Sequence, residues 1–377
     1  MALGHLYKTD ETPISSIAMS RRFLVVPSLV LVFSLFAVSC SESSDPESLS
    51  GVAAQIYAGE CAEQSGNEVV IYSGRTENLI EPVLDAFACE TGVPVAVRWG
   101  ASTDLALLVE ADGDRTEADV FLSRSPGPVG FLESRDLLGE IDSDVLDLVS
   151  PENRSGSNTW VGFSGRKRVL VYNVDQLETG ELPASVFELT DEKWRGKVGI
   201  PATNGSFVDW FTVFRDVHGD DVATEWLDDM VANDADLYSN NRSIVEAAGR
   251  GEIDVGLVNH YYNYQEVAAA GETHRALNHD FADDDIGSLL IITAATVLKS
   301  TDAPDEAAQL LRYLLSAPVQ QYFTDETFEY PLAAGVEANS TLPPLTALEI
   351  GSVDFDALGG GFATTNDIIE ASGILDS

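Results

Sequence analysis

Residues 69–121 read VVIYSGRTENLIEPVLDAFACETGVPVAVRWGASTDLALLVEADGDRTEADVF. Val69-Val70-Ile71-Tyr72 is an apolar run of strand length. Leu79, Ile80, Val83, Leu84 and Phe87 then recur on one face at helical spacing. Val95-Ala96-Val97-Arg98 predicts a second strand, entered through Pro94 at its edge. A helix through Leu105, Leu107 and Leu108 and a third strand at Ala118-Asp119-Val120-Phe121 follow. The order β-α-β-α-β predicts a parallel sheet flanked by helices, so the fold class is α/β.

A second set begins at Arg168-Val169-Leu170-Val171-Tyr172. It continues with strands at Lys197–Ile200 and Asp254–Val258, and with helices over Phe207–Val217 and from Ser243 to the Gly249 and Gly251 breakers. Ser288–Leu298 is a long apolar run and Pro304–Leu315 an amphipathic helix. About 300 ordered residues exceed one comfortable core, which predicts two α/β lobes.

Residues 1–39 read as an export signal. Ser20-Arg21-Arg22 precedes an apolar, uncharged stretch from Phe23 to Phe36, and Ala37-Val38-Ser39-Cys40 supplies small residues before a cut. Met19 is a conventional start, which makes residues 1–18 an extension ahead of it. Cys40 resembles the lipidated cysteine of bacterial lipoproteins, although Ala37 stands where leucine is usual. An uncleaved anchor helix is the alternative. Residues 40–66 read as a tether between anchor and domain. Cys61 and Cys89 then remain as an even pair in an exported chain, which predicts a disulfide.

The chain carries 62 Asp and Glu against 21 Lys and Arg, a formal net charge of −41. Such a surface repels nucleic acid, which needs basic patches. It keeps the chain soluble; attraction of cations is one reading and adaptation to salt is at least as good a one. A monomer is expected.

Within Gly256-Leu257-Val258-Asn259-His260-Tyr261-Tyr262-Asn263-Tyr264 two phenols stand side by side after a short apolar strand. In a regular strand their side chains point to opposite faces. Where the strand breaks toward a helix, both rings can turn into one cleft. Phenolate is a hard anionic donor suited to a small, highly charged cation such as ferric iron. The alternative is an aromatic pair packed between lobes. His260 is expected to point away from such a site.

Taken in order, five runs resemble the ferric-ion-binding proteins of bacterial ABC importers. They are Val70–Glu77, Ser164–Asn173, Pro201–Phe207, Leu257–Tyr262 and Glu329-Tyr330-Pro331-Leu332, within a likeness from about Glu68 to Ala347. The resemblance implies the two-lobed clamshell of the type II periplasmic binding proteins, with strands crossing near Arg168 and Ile292. Lobe one is then 67–165 plus 293–340, and lobe two 166–292 plus 341–377. It also implies that Tyr261 and Tyr262 bind iron as phenolates.

The other family ligands do not carry over. Thr76 stands at the histidine position of some members, Arg124 at their glutamate position, and the third tyrosine of others is absent near Gly205 and Ser206. Glu77, one position from the histidine site, is a candidate ligand; its alternative is a first-turn carboxylate stabilised by the helix dipole. The resemblance further implies a synergistic anion, carbonate or phosphate, held by Asn204, Gly205 and Ser206 with amide contacts from Asn241 and Asn259. Arg75 and Arg124 are candidates for charge-assisted bonds to it, or for ordinary ion pairs.

The function implied is capture of Fe(III) outside the cytoplasm, anchored to the outer face of the cytoplasmic membrane or periplasmic, and delivery to an ABC permease with its ATPase. Capture of a small organic anion of phosphonate type, or of a polyamine, is the alternative on the same fold. No Gly-x-Ser-x-Gly elbow, Cys–His pairing or HExxH helix argues for an enzyme.

Overall fold

One 13-residue strand, Val161–Asn173, is buried along its whole length and runs through the centre of the sheet. The computed structural model describes residues 48–345 and 361–376. Cys40 and the export signal at 1–39 lie outside them. The chain divides into Met1–Ser44 and Asp45–Ser377, and the second unit holds every described residue.

In chain order the strands are β1 (Val69–Ser73), β2 (Val95–Trp99), β3 (Val120–Ser123), β4 (Val161–Asn173), β5 (Val198–Ile200), β6 (Asp236–Leu237), β7 (Val255–Asn259), β8 (Ala276–His279), β9 (Leu290–Val297) and β10 (Tyr330–Pro331). Their order across the sheet is β2-β1-β3-β9-β4-β7-β5-β6, with β8 and β10 both on β4. The triad β2-β1-β3 is parallel, as its β-α-β-α-β pattern predicts, and so is β7-β5-β6.

The central strand β4 serves two halves. From Val161 to Lys167 it pairs with β9 and β10, and from Arg168 to Asn173 with β7 and β8. The apolar pattern alone starts this strand only at Arg168, seven residues after its true beginning at Val161. Gly162, Ser164 and Gly165 break the apolar run, and a register shift between Gly162 and Ser164 accommodates them.

Three apolar clusters back the sheet. One gathers β1, β3 and the first half of β4 with helices α2 (Glu77–Thr91), α3 (Ser102–Asp112) and α4 (Pro126–Ser134). A second packs helices α6 (Gly205–His218) and α7 (Asp220–Ala232) on one face of the other half, and a third packs α8 (Asn241–Arg250) on the opposite face. Helices α10 (Pro304–Leu314) and α11 (Ala317–Asp325) join the first cluster. Helix α12 (Phe362–Ser372) joins the second through Ile369. Two short helices, α1 (Ala53–Ile56) and α5 (Ser143–Leu146), and α9 (His260–Ala270) complete the helices longer than a 3₁₀ turn among the described residues.

Residues 48–66, read as tether, are in fact folded onto the body. Ile56 of α1 enters the first cluster, Ser48 bridges Glu60, and Cys61 is disulfide-bonded to Cys89 at the end of α2. Their tether-like composition is overridden by two buried apolar residues, Ala53 and Ile56, and one covalent staple.

Helix α6 matters most for the site. Phe207, Trp210, Phe211 and Phe214 are fully buried, each worth about 1.5–3 kcal/mol relative to exposure. The Trp210 Nε1–H also donates to the Ile286 carbonyl at 2.8 Å. That anchorage fixes where the first turn of the helix points.

Candidate metal centre

Strand β7 ends at Asn259, whose extended backbone (φ −80°, ψ 138°) caps α9, so Tyr261 and Tyr262 fall in the first turn of that helix. A helical turn, unlike a strand, lets neighbouring side chains share a side. The two rings stack with centroids 4.3 Å apart and planes 30° apart. Tyr261 is buried and Tyr262 half-buried. Burial, then the adjacent Tyr262, push the Tyr261 phenol well above its usual pKa, while the Arg166 guanidinium pulls it down. A bound cation of high charge would supply the remaining pull that a phenolate needs. The positive end of the α9 dipole favours the same charge state.

Opposite β7, α6 begins at Asn204-Gly205-Ser206. The Asn204 side chain accepts from the Ser206 N–H at 3.0 Å and from its hydroxyl at 2.7 Å. Asn241 ties this turn to the tyrosine strand. Its amide donates to Asn204 Oδ1 (3.3 Å) and Ser206 Oγ (3.2 Å), while its Oδ1 accepts from the Asn259 N–H (3.0 Å) and Arg168 Nη1 (3.2 Å). Asn241 is thereby saturated and organises the turn. Around this turn, the Gly205 N–H and the buried Asn259 side-chain amide are both uncommitted donors. A helix N-terminus with a free N–H is suited to an anion.

Five arginines surround this turn and the tyrosines; the outermost, Arg242, lies 5.9 Å from the centre of the Tyr262 ring and 3.7 Å from the Glu266 carboxylate. Arg75 gives both terminal nitrogens to Glu329, at 2.8 and 2.6 Å, in a fully buried pair. Arg168 donates to the Ser206 carbonyl at 2.6 Å, and burial, then repulsion from Arg166, lower its pKa to about 9. Arg124, just after β3, lies over the start of α6: a Cβ on Gly205 would sit 3.6 Å from Arg124 Nη1. Arg166 is fully buried, donates through Nη2 to the Arg124 carbonyl and lies 3.6 Å from the Asp209 carboxylate.

Glu77 is the exposed first residue of α2. His260 faces the other way. Its Nδ1 accepts the Lys167 N–H at 3.0 Å, its ring stacks on Tyr330, and burial lowers its pKa to about 4. Among the described residues no cluster of three or more His, Cys, Asp or Glu could hold a metal ion. Arg166, Arg168 and Glu329 are not among the site residues that the sequence alone suggests. The signal was present: arginines two apart on a buried strand share one face.

Residues 116–355 match the family model of the bacterial extracellular solute-binding proteins. The chain belongs to that family. It is 27% identical over 314 residues to the Fe(3+)-binding periplasmic protein of Serratia marcescens, covering 83% of this chain and 93% of that one. The crystal structure of iron-bound HitA from Pseudomonas aeruginosa is 30% identical, with a TM-score of 0.74 over 81% of this chain and 99% of the other. A Trichodesmium protein solved in complex with iron and citrate ligands is 25% identical, with a TM-score of 0.70 over 81% and 99%. The fold of this solute-binding protein is that of the type II periplasmic binding proteins, and the family binds solutes rather than catalysing reactions. No helix of the described residues is long and apolar enough to cross a membrane.

Proposed function

We propose that this solute-binding protein captures ferric iron outside the cytoplasm, with Tyr261 and Tyr262 as phenolate ligands, and delivers it to an ABC permease. The observation that carries this reading is the stacked tyrosine pair opening α9, tied through Asn241 to a capped helix start beneath arginines. A relative named for Fe(3+) binding and a structural neighbour solved with iron bound support it.

Two phenolates leave an octahedral ion short of donors. A synergistic anion at Gly205 and the Asn259 amide, carbonate, phosphate or a polycarboxylate, completes the shell; Glu77 is the candidate side chain if none does. Cys40 is the proposed lipid anchor to the membrane. The proposed lobes are 67–165 with 293–340 and 166–292 with the C-terminal segment, closing as a monomer around the ion.

The test is the visible spectrum of the purified chain titrated with ferric iron. A phenolate-to-iron charge-transfer band is expected, and no band with iron present at saturating concentration would overturn the reading. A second reading, capture of an organic oxyanion without iron, is favoured by the excess of guanidinium over carboxylate at the site. Binding of such an anion to the iron-free chain, with no coloured complex, would select it. A polyamine is disfavoured by the same excess.

A further inference from the structure

We propose that Arg166 is a ligand-binding residue, holding a polyvalent oxyanion at the site through its free Nε–H and Nη1–H groups. This inference rests on the reading of the site as one for a cation with its anion.

Arg166 differs from its neighbours in how little the protein gives it. Arg75 has a buried carboxylate on both terminal nitrogens, and Arg168 has a carbonyl and an amide oxygen. Each of those two leaves only its Nε without a partner among the described residues, whereas Arg166, just as buried, leaves both Nε and Nη1. Its remaining contacts are the Arg124 carbonyl and an Asp209 carboxylate at 3.6 Å, beyond hydrogen-bond range. Leaving charged donors unsatisfied in a core is costly, and a fold that needed only an apolar strand there would be better served by leucine.

Its place says what it waits for. Arg166 and Arg168 sit two apart on β4, so they share a face, and Arg168 reaches the first turn of α6. Arg124 lies over Gly205 of that turn, and Arg166 bears on the Tyr261 phenol. Once Arg75 is paired with Glu329 and Arg242 with Glu266, three guanidiniums, Arg124, Arg166 and Arg168, stand against the carboxylate of Asp209. A ferric ion with two phenolates adds a further positive charge. A monovalent anion leaves this excess uncompensated, whereas a phosphate or polycarboxylate matches it and offers several oxygens to separate donors.

The experiment compares the full chain with Arg166→Gln and Arg166→Lys. Iron-phenolate absorbance is titrated in acetate, phosphate and citrate, and the iron-free thermal midpoint is measured with and without each anion. The wild type is expected to bind iron far better in phosphate or citrate than in acetate. Arg166→Gln is expected to lose that advantage by about 10-fold or more, without a lower iron-free midpoint. Arg166→Lys, which keeps the charge but not the Nε–H, is expected to fall between.

If Arg166→Gln keeps the anion advantage, or Arg166→Lys folds and matches the wild type in every anion, the proposal is overturned and Arg166 is structural. A wild type that binds iron equally in all three anions overturns it together with the anion half of the functional reading. A wild type that binds no iron but is stabilised by phosphate or citrate, with Arg166→Gln losing that shift, sinks only the iron half and supports the proposal.

Discussion

Tyr261 and Tyr262 are separable from the fold in a way that most buried aromatics are not. Tyr→Phe at either position deletes one oxygen donor and keeps a ring to stack at 4.3 Å. Each variant is expected to weaken iron binding by more than the ~10–100-fold typical of an outer-shell partner and to lose the charge-transfer band, with circular dichroism unchanged. Normal colour in both variants would dismiss the pair as ligands.

Glu329 is the opposite case. Burial raises its pKa, but Arg75, by charge and two hydrogen bonds, outweighs this and holds it below the usual carboxylate range. Glu329→Gln would strand a buried guanidinium at a cost of about 3–5 kcal/mol. Because the folded pKa is the lower one, the carboxylate's contribution is full above the unfolded value near ~4.3 and lost as pH falls through the folded one. Urea unfolding of both proteins should give a constant difference from pH 6 to 8, a range of about two units, that narrows only in acid. A difference that grows toward acid would reverse the assignment.

Helix α6 and strand β4 place the site, and they differ in how far the sequence discloses them. The Asn204 cap, Gly205 and the aromatic face of α6 are legible locally, because capping and helical spacing act over a few residues. So are β1 and α2, whose patterns need no distant partner. The first half of β4 is not, since Gly162 and Gly165 are set by packing against β9 and β10, more than a hundred residues away. The same distance hides the Arg75–Glu329 pair. The stacked tyrosines were legible as types, while the saturation of Asn241 and the freedom of Arg166 exist only once four segments meet.

The cap also supplies a test of the anion cradle. Gly205 is the first residue of α6, Asn204 before it is extended, and an added Cβ meets nothing closer than 3.6 Å. Proline suits such a position. Gly205→Pro is therefore expected to fold with an unchanged or slightly higher midpoint, yet to lose the free N–H and with it about 10-fold in anion-dependent iron binding. Iron binding that stays anion-dependent and undiminished would move the anion elsewhere.

Across the whole molecule, the residues assigned to the ligand come from both halves of the sheet. Tyr261, Tyr262, Asn204 and Asn259 belong to elements around β7 and α6, whereas Arg124 follows β3, and Arg166 lies where β4 passes from one half to the other. Arg124 lies over Gly205, so these two residues bring the two halves together beside the site. With a net charge of −41, like-charge repulsion between the halves opposes that closure when no ligand is present. On the proposed reading, a cation with its oxyanion would bind donors on both sides at once and shift the population toward the closed form by its differential affinity. Small-angle scattering at moderate salt is expected to give a smaller radius of gyration for the iron-loaded chain than for the iron-free one. Raising the salt should shrink the difference by letting the iron-free chain close, because screening acts within about a Debye length. An unchanged radius, with the charge-transfer band fully developed, would confine the ligand to the β7–α6 side and leave Arg124 and Arg166 without a role in holding it.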